Sequence, residues 1–343
     1  MTDIDVRMAD EFRQAPEAVD RQAQTLARPL ADLIARLSRR PPQVVVTCAR
    51  GSSGHAATFA KFLFERHLGI PVAPAAPSIT TIYRRQLELR HQLFLAISQS
   101  GRSDDLVEQA AAARAAGALT AALVNAADSP LAQTCEFVLP IAAGRERSVA
   151  ATKTFVATLA ALLRMTAAWA GDDGLQTALG RLPDRLVRAA EQDWNAALPA
   201  FASNISLVTI GRGPTLAIAR EAALKLKEVC NLHAEAFSGA EFLHGPVALV
   251  SLRYPILLLM PTDAAAAGMQ QLAQDLRAKG AAVFRAEPGE PTAGRLPALA
   301  SDRPETDAVC LIQSFYAMLI RLAQLLGTDV DQPRHLEKIT RTR

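Results

Sequence analysis

LFLAISQSGRSDDLVEQAAAARAAGA, residues 93–118, decides the fold. Five apolar residues, Leu93 to Ile97, stop at Ser98-Gln99-Ser100-Gly101, and a helix-forming run follows. An apolar run of that length, bounded by turn residues, fits a fully buried strand. A plain turn needs one or two small polar residues. Four in a row, offering hydroxyls, an amide and bare backbone, suit a seat for an anion at the start of a helix.

The same rhythm extends on both sides. VVVTC (44–48) leads into GSSGHAATFAKFLFERHLG, while LTAALV (119–124) and FVLPI (137–141) precede a long helical stretch after Ala150. Strands alternating with helices imply βαβ units and a parallel sheet. The pattern then restarts. LVTI (207–210) runs into GRGPTLAIAREAALKLKE, PILLLM (255–260) into a helix-like segment, and AAVFRA (281–286) follows. Both halves read strand, Arg-Gly loop, then a helix ending in glutamate, so the chain is read as a duplicated α/β domain. The polar stretch 172–204 is expected to be a helical connector, broken near Leu182-Pro183-Asp184. EPGEPTAGRLP (287–297) is expected to be a surface loop.

Bulk properties exclude several classes. With 343 residues, half of them hydrophobic, the chain can bury the cores of about two domains. The net charge is +3 and the arginines are scattered, so nucleic acid is not an expected partner. Cys48, Cys135, Cys230 and Cys310 are far apart, form no CxxC pair and read as free buried thiols of a reducing compartment. No apolar leader is visible. The apolar stretch 155–170 contains Arg164 and reads as a buried helix, not a membrane span. A cytoplasmic location is expected.

Ligands of open parallel sheets bind beyond the carboxyl ends of the strands. Three loops of the first half stand there: Arg50-Gly51-Ser52-Ser53-Gly54, Ser98 to Ser103, and Ser148-Val149-Ala150-Ala151-Thr152-Lys153. Such residues also cap helices. Two serine-rich loops in one half favour a phosphate seat. No GxGxxG or Walker A pattern is present, so no nucleotide cofactor is expected.

The second half carries the titratable groups. Glu221, Lys225 and Glu228 are spaced i, i+4 and i+3 on one helix, which fits either a surface ion-pair ladder or a packed site. His233, Glu235, Glu241 and His244 follow, at spacings that match no zinc pattern, and no metal is expected. His244-Gly245-Pro246 is a sharp turn whose histidine suits acid–base work near neutral pH. The polar tail GTDVDQPRHLEKITRTR, with Leu336 and Ile339 as apolar punctuation, is able to lie across a site and bring in Lys338 as an amine.

SQSGRSDDL, VAATKTF, GRGPTLAIAREAALKLKE, HAEAFSGAEFLHGP and DVDQPRHLEK together resemble a known family, as does the start MADEFRQAPEAVDRQ. It is that of the tandem sugar-isomerase (SIS) domains of glucosamine-6-phosphate synthase and of SIS-type glucosamine-6-phosphate deaminases. The resemblance spans residues 45 to 340. It implies two SIS domains, each a flavodoxin-like parallel sheet flanked by helices: a lead-in over 1–34, domains over 35–170 and 201–328, a connector over 171–200 and a tail over 329–343. It also implies a sugar-phosphate seat at Ser52, Ser53, Ser98, Gln99, Ser100 and Ser103, with Val149 beside it. Glu228 falls on the base that moves a proton between C1 and C2. His244 falls on the ring-opening histidine, which comes from the neighbouring subunit of a homodimer. Lys338 falls on the Schiff-base lysine, and Lys225 on a helix lysine near the substrate oxygens. Neither a metal nor an organic cofactor is implied.

Three positions depart from the synthase pattern: Arg102 replaces an acid, Ala151 a serine and Leu243 a lysine. No glutaminase segment is expected ahead of the sugar domains. The expected reaction is deamination with isomerisation of glucosamine 6-phosphate. The alternatives are a related phosphosugar isomerase, a synthase using free or partner-supplied ammonia, a fructosamine-6-phosphate deglycase, or a non-catalytic sugar-phosphate sensor.

Overall fold

A computed structural model describes residues 7–290 and 292–338. The chain opens with helices α1 (Arg7–Arg13) and α2 (Ala15–Arg39). The first sheet then forms from β1 (Val45–Cys48), β2 (Val72–Pro74), β3 (Leu93–Ser98), β4 (Leu119–Val124) and β5 (Phe137–Pro140). Its crossovers contain α3 (Gly51–Leu68), α4 (Pro77–Thr81), α5 (Asp104–Ala115) and α6 (Pro130–Thr134). Helices α7 (Lys153–Ala170), α8 (Asp173–Ala190) and α9 (Leu198–Ala202) lead on to a second sheet of β6 (Ser206–Gly211), β7 (His233–Ser238), β8 (Pro255–Leu259), β9 (Ala282–Glu287) and β10 (Arg295–Pro297). Helices α10 (Thr215–Cys230), α11 (Gly239–Phe242), α12 (Ala266–Ala278) and α13 (Pro304–Leu326) accompany it.

All the strand pairings are parallel. The first sheet is ordered β2-β1-β3-β4-β5 and the second β10-β9-β8-β6-β7. Counted from the first strand of each, both are 2-1-3-4-5, the flavodoxin-like order. The duplication seen in the sequence is therefore a duplication of topology. In each sheet the order reverses beside the first strand, and the crevice between the first and third strands opens there.

The strands are buried because both faces are covered. All six residues of β3 and all six of β4 are buried, the mark of a central parallel strand. On one face of the first sheet Val46, Phe94, Ala96, Leu106, Ala110, Ala122 and Leu131 share a core. In the second, Val208, Ile210, Phe242, Ile256, Leu258, Met269 and Leu272 do the same. Contacts divide the chain into two compact units. Among the described residues, the first-sheet unit comprises Glu17–Glu146, Lys153–Gly180 and Glu337 with Lys338; the second-sheet unit comprises 7–16, Arg147–Thr152 and Arg181–Leu336.

Two local expectations change. The connector does not break at Pro183: α8 runs through it. Its apolar stripe of Leu175, Ala178, Leu179, Leu182, Leu186 and Ala189 is buried, and that packing outweighs the one backbone donor that proline lacks. The loop 287–297 is not wholly a loop, since Arg295–Pro297 pairs with β9 as an edge strand, where a terminal proline is tolerated. Helix α13 is long and apolar enough to cross a membrane by length and composition, but most of it is buried within the fold. Helix α7 is almost wholly buried, as expected of residues 155–170.

Candidate functional site

In the first-sheet unit the crevice between β1 and β3 is lined by two of the loops singled out above. Ser52 and Ser53 sit in the first turn of the 18-residue helix α3. Ser98 ends β3, Gln99, Ser100 and Gly101 form the turn, and Ser103 stands just before α5. The loop orients its own hydroxyls. Ser98 Oγ accepts the Gly101 N–H at 3.0 Å, and Ser100 Oγ accepts the Arg102 N–H at 3.3 Å. Each hydroxyl then keeps its proton to donate to an anion. The N-terminal N–H groups of α3 and α5 add a positive potential there.

Gly101 makes the turn possible. Its φ of +62° is in the left-handed region, and a Cβ there would lie 2.1 Å from Ser129 Oγ. The Leu131 N–H also donates to the Gly101 carbonyl at 3.1 Å. The loop is thus pressed onto the segment after β4, and only glycine fits. Arg50 ties the two lips of the crevice together: its Nε and Nη2 donate to Asp105 Oδ2 at 3.1 and 2.8 Å. Asp105 is buried in the first turn of α5.

Lys338 belongs to this same unit. Its Nζ lies 3.7 Å from Oε2 of Glu146, a fully buried carboxylate that also takes the Thr154 N–H at 3.4 Å. Ile339, which was expected to help order the tail, lies outside the described residues.

The second-sheet unit holds the acid–base groups. Small residues let α10 pack tightly: Ala217, Ala219, Ala222 and Ala223 are all buried. Lys225 is 1% exposed and Glu221 0%, so the Glu–Lys–Glu set is a buried cluster and not a surface ladder. Lys225 Nζ lies 2.6 Å from Glu228 Oε2 and 3.3 Å from Glu221 Oε1. Burial alone would lower the ammonium pKa, but the charges of Glu221 and Glu228 outweigh it and hold the group above its ordinary value. Glu228 is the accessible member, its side chain 21% exposed. Its Oε2 is committed to Lys225, and no described residue engages Oε1.

His244 lies in the turn after α11, exposed, with no partner for its imidazole among the described residues. Leu243, Leu249 and Leu252 around it are exposed as well. His233, Glu235 and Glu241 are exposed, and among the described residues no three His, Cys, Asp or Glu side chains are grouped as metal ligands.

Val149, expected beside the serine loops, groups with the second-sheet unit in the segment Arg147–Thr152. A buried carboxylate absent from the sequence reading holds that segment: Glu11 accepts the Arg147 N–H, the Ser148 N–H at 3.0 Å and the Ser148 hydroxyl at 2.5 Å. Asp331 caps α1 through the Arg7 and Met8 N–H groups, both at 2.9 Å, and accepts from Ser148 Oγ at 3.4 Å. Glu11, Asp331, Asp105 and Glu146 all bond to atoms distant in sequence, so local spacing held no signal for them.

The SIS domain signature matches residues 41–168 and 201–326. The glutamine–fructose-6-phosphate aminotransferase of Zymomonas mobilis is 32% identical over 365 aligned residues, which cover 96% of this chain and 58% of that enzyme. The chain therefore spans somewhat more than half the length of this relative. A structure from Silicibacter pomeroyi DSS-3, described as a candidate phosphosugar isomerase, is 45% identical with a TM-score of 0.90, covering 95% of this chain and 100% of that one. The C-terminal domain of glucosamine-fructose-6-phosphate aminotransferase from Francisella tularensis is 25% identical with a TM-score of 0.85, covering 96% and 99%. Two signature matches, one on each parallel sheet, make this chain a member of the SIS domain family of phosphosugar isomerases, related to the isomerase domain of glutamine–fructose-6-phosphate aminotransferase.

Proposed function

We propose that the protein converts glucosamine 6-phosphate and water into fructose 6-phosphate and ammonia. The observation that carries the reading is the half-open carboxylate of Glu228, held by buried Lys225 and with one oxygen unengaged. A proton alpha to a carbonyl is acidic enough for a positioned carboxylate to remove. In this reading the phosphate takes the Ser52, Ser53 and Ser98–Ser103 loops. His244 protonates the ring oxygen and opens the pyranose. Glu228 takes the C2 proton, giving an enolamine, and returns it to C1. C1 becomes a hydroxymethyl group and C2 an imine. Lys338 exchanges with that imine, releasing ammonia, and water hydrolyses the adduct to the C2 ketone. Lys225 holds Glu228 and faces the developing oxygen charge. His244 is assigned to the site of a second copy, a reading supported by its exposure among Leu243, Leu249 and Leu252.

A second reading is aldose–ketose isomerisation without amine chemistry, favoured by the 45% identity to a candidate phosphosugar isomerase. One experiment separates the two. The protein is incubated with glucosamine 6-phosphate, and released ammonia is coupled to glutamate dehydrogenase, with Glu228→Gln run in parallel. Ammonia release that is lost in the variant supports the deaminase. Interconversion of fructose and glucose 6-phosphates without ammonia selects the isomerase. If neither reaction runs, yet the sugar phosphate raises the melting temperature, both are overturned in favour of a sensor.

A further inference from the structure

The amino end of the first sheet has a cavity that the proposed reaction does not use. It has a volume of about 180 Å³ and opens where β3 and β4 begin, at Leu93 and Leu119. The serine loops lie at the other end of β3. Five residue steps from Leu93 to Ser98, at about 3.3 Å each, separate the two ends by roughly 17 Å.

The lining is cationic. Arg36 comes from the last turn of α2 and Arg40 from the residue just after it, His91 from the approach to β3 and Arg114 from the last turn of α5. Glu136 is the only acid among the lining residues. Three arginines against one glutamate leave a charge of +2. No carboxylate partner within ion-pair distance is recorded for Arg36, Arg40 or Arg114 among the described residues; Arg114 Nη1 donates instead to the Thr134 carbonyl at 2.9 Å.

Arginines at the ends of α2 and α5 complement the helix dipoles, and that alone accounts for a basic residue at each end. It does not account for His91, which stands on a loop with a φ of +67° and whose N–H is fixed to the Gly117 carbonyl at 2.9 Å. Partial desolvation, then the charges of Arg40, Arg90 and Arg36, lower its imidazole below the ordinary value. Three arginines from two segments, with the His91 imidazole from a third, thus line one cavity. An uncompensated positive cavity of this size concentrates small anions, and the planar guanidinium forks match phosphate oxygens.

We propose that this cavity is a second anion site, for a phosphorylated small molecule carrying at least two negative charges, separate from the serine loops at the carboxyl end of the sheet. Arg36 and Arg40 bind one phosphoryl group, and Arg114 with His91 closes the opposite side. The site is independent of the reaction assigned above, because none of its residues belongs to that machinery.

The test is calorimetric titration of the full chain with inorganic pyrophosphate at low ionic strength. Three proteins are compared: wild type, Arg36→Glu/Arg40→Glu and Ser98→Ala/Ser100→Ala. Arg36 and Arg40 are exposed, so reversing their charge leaves the fold intact. Wild type and the serine variant are expected to bind alike, and the arginine variant about tenfold or more weakly. Pyrophosphate that fails to bind wild type, or binds the arginine variant as tightly as wild type, overturns the proposal. So does binding that disappears with the two serines, since the anion would then occupy the other end of the sheet.

Discussion

Replacing Lys225 by methionine is the most informative single change on α10. Methionine keeps the length and apolar stem but removes the ammonium, which leaves Glu221, 0% exposed, as a buried carboxylate that has lost the cation 3.3 Å away. Breaking one side of a buried ion pair costs about 3–5 kcal/mol. Glu228 adds less, because its side chain is 21% exposed and water takes over part of the lost interaction. The expected loss is therefore about 3–5 kcal/mol, carried mainly by Glu221. Lys225→Met/Glu221→Gln removes both charges and should recover most of it.

The assay is urea unfolding followed by tryptophan fluorescence. Trp194, 1% exposed, belongs to the second-sheet unit and Trp169 to the first, so a Trp169→Phe background reports on the unit that holds α10. The Lys225 pKa is raised on folding from 10.5, so the pair contributes fully below pH 10.5 and its contribution fades as the pH rises through the folded value. Wild type should lose stability more steeply than Lys225→Met in alkali. A Lys225→Met loss under about 1 kcal/mol, or a double variant no better than the single one, would refute the argument.

Three further outcomes are expected. Gly101→Ala should cost about 1–3 kcal/mol and abolish thermal protection by sugar phosphate, since its Cβ meets Ser129 Oγ at 2.1 Å and its φ is +62°; Ser129→Gly in that background should restore part of the stability. Burial pushes the Cys48, Cys230 and Cys310 thiols up to about 12 and that of Cys135 to about 11. A disulfide reagent at pH 8 should therefore find almost no reactive thiol in the native protein and four in urea. Ser148→Ala removes the hydroxyl shared by Glu11 and Asp331 and should cost about 1–2 kcal/mol, with faster amide exchange at Arg7 and Met8.

The fold was legible because parallel strands buried on both faces declare themselves as unbroken apolar runs. VVVTC, LFLAI, LTAALV and PILLLM all fall on strands. The strands that escaped notice are three of the four edge strands: β2 and β10, of three residues each, and β7, whose HAEA opening alternates polar and apolar residues. An edge strand needs neither an apolar run nor two covered faces, so it leaves a weaker trace. Among the site residues, Ser98 to Ser103 and the Glu221–Lys225–Glu228 spacing could be read because each lies within one loop or one helix. Lys225 was visible as a member of a ladder, but its burial was not, because burial depends on what α13 and β7 bring against α10.

The two sheets share a strand order yet treat their switch points oppositely. Between β1 and β3 the loops carry serines whose hydroxyls accept from their own backbone and keep a proton to donate. Between β6 and β8 the equivalent space is stitched. Thr215, 1% exposed, donates to the Leu259 carbonyl at 2.7 Å and accepts the Arg212 N–H at 3.0 Å. A Cβ on Gly211 would lie 2.2 Å from the Thr215 carbonyl oxygen, so the first turn of α10 rests directly on the end of β6. A phosphate has no room there, and the helix is fixed as a rigid mount for its buried charges. The contrast predicts opposite signatures for two hydroxyl deletions. Thr215→Val removes the donor to the buried Leu259 carbonyl and should cost about 1–2 kcal/mol, without changing sugar-phosphate affinity by direct contact. Ser100→Ala, in a loop open to water, should cost under about 0.5 kcal/mol but weaken sugar-phosphate binding several-fold. Equal stability losses from the two substitutions would mean that the switch points are alike and that the serine loop is structural.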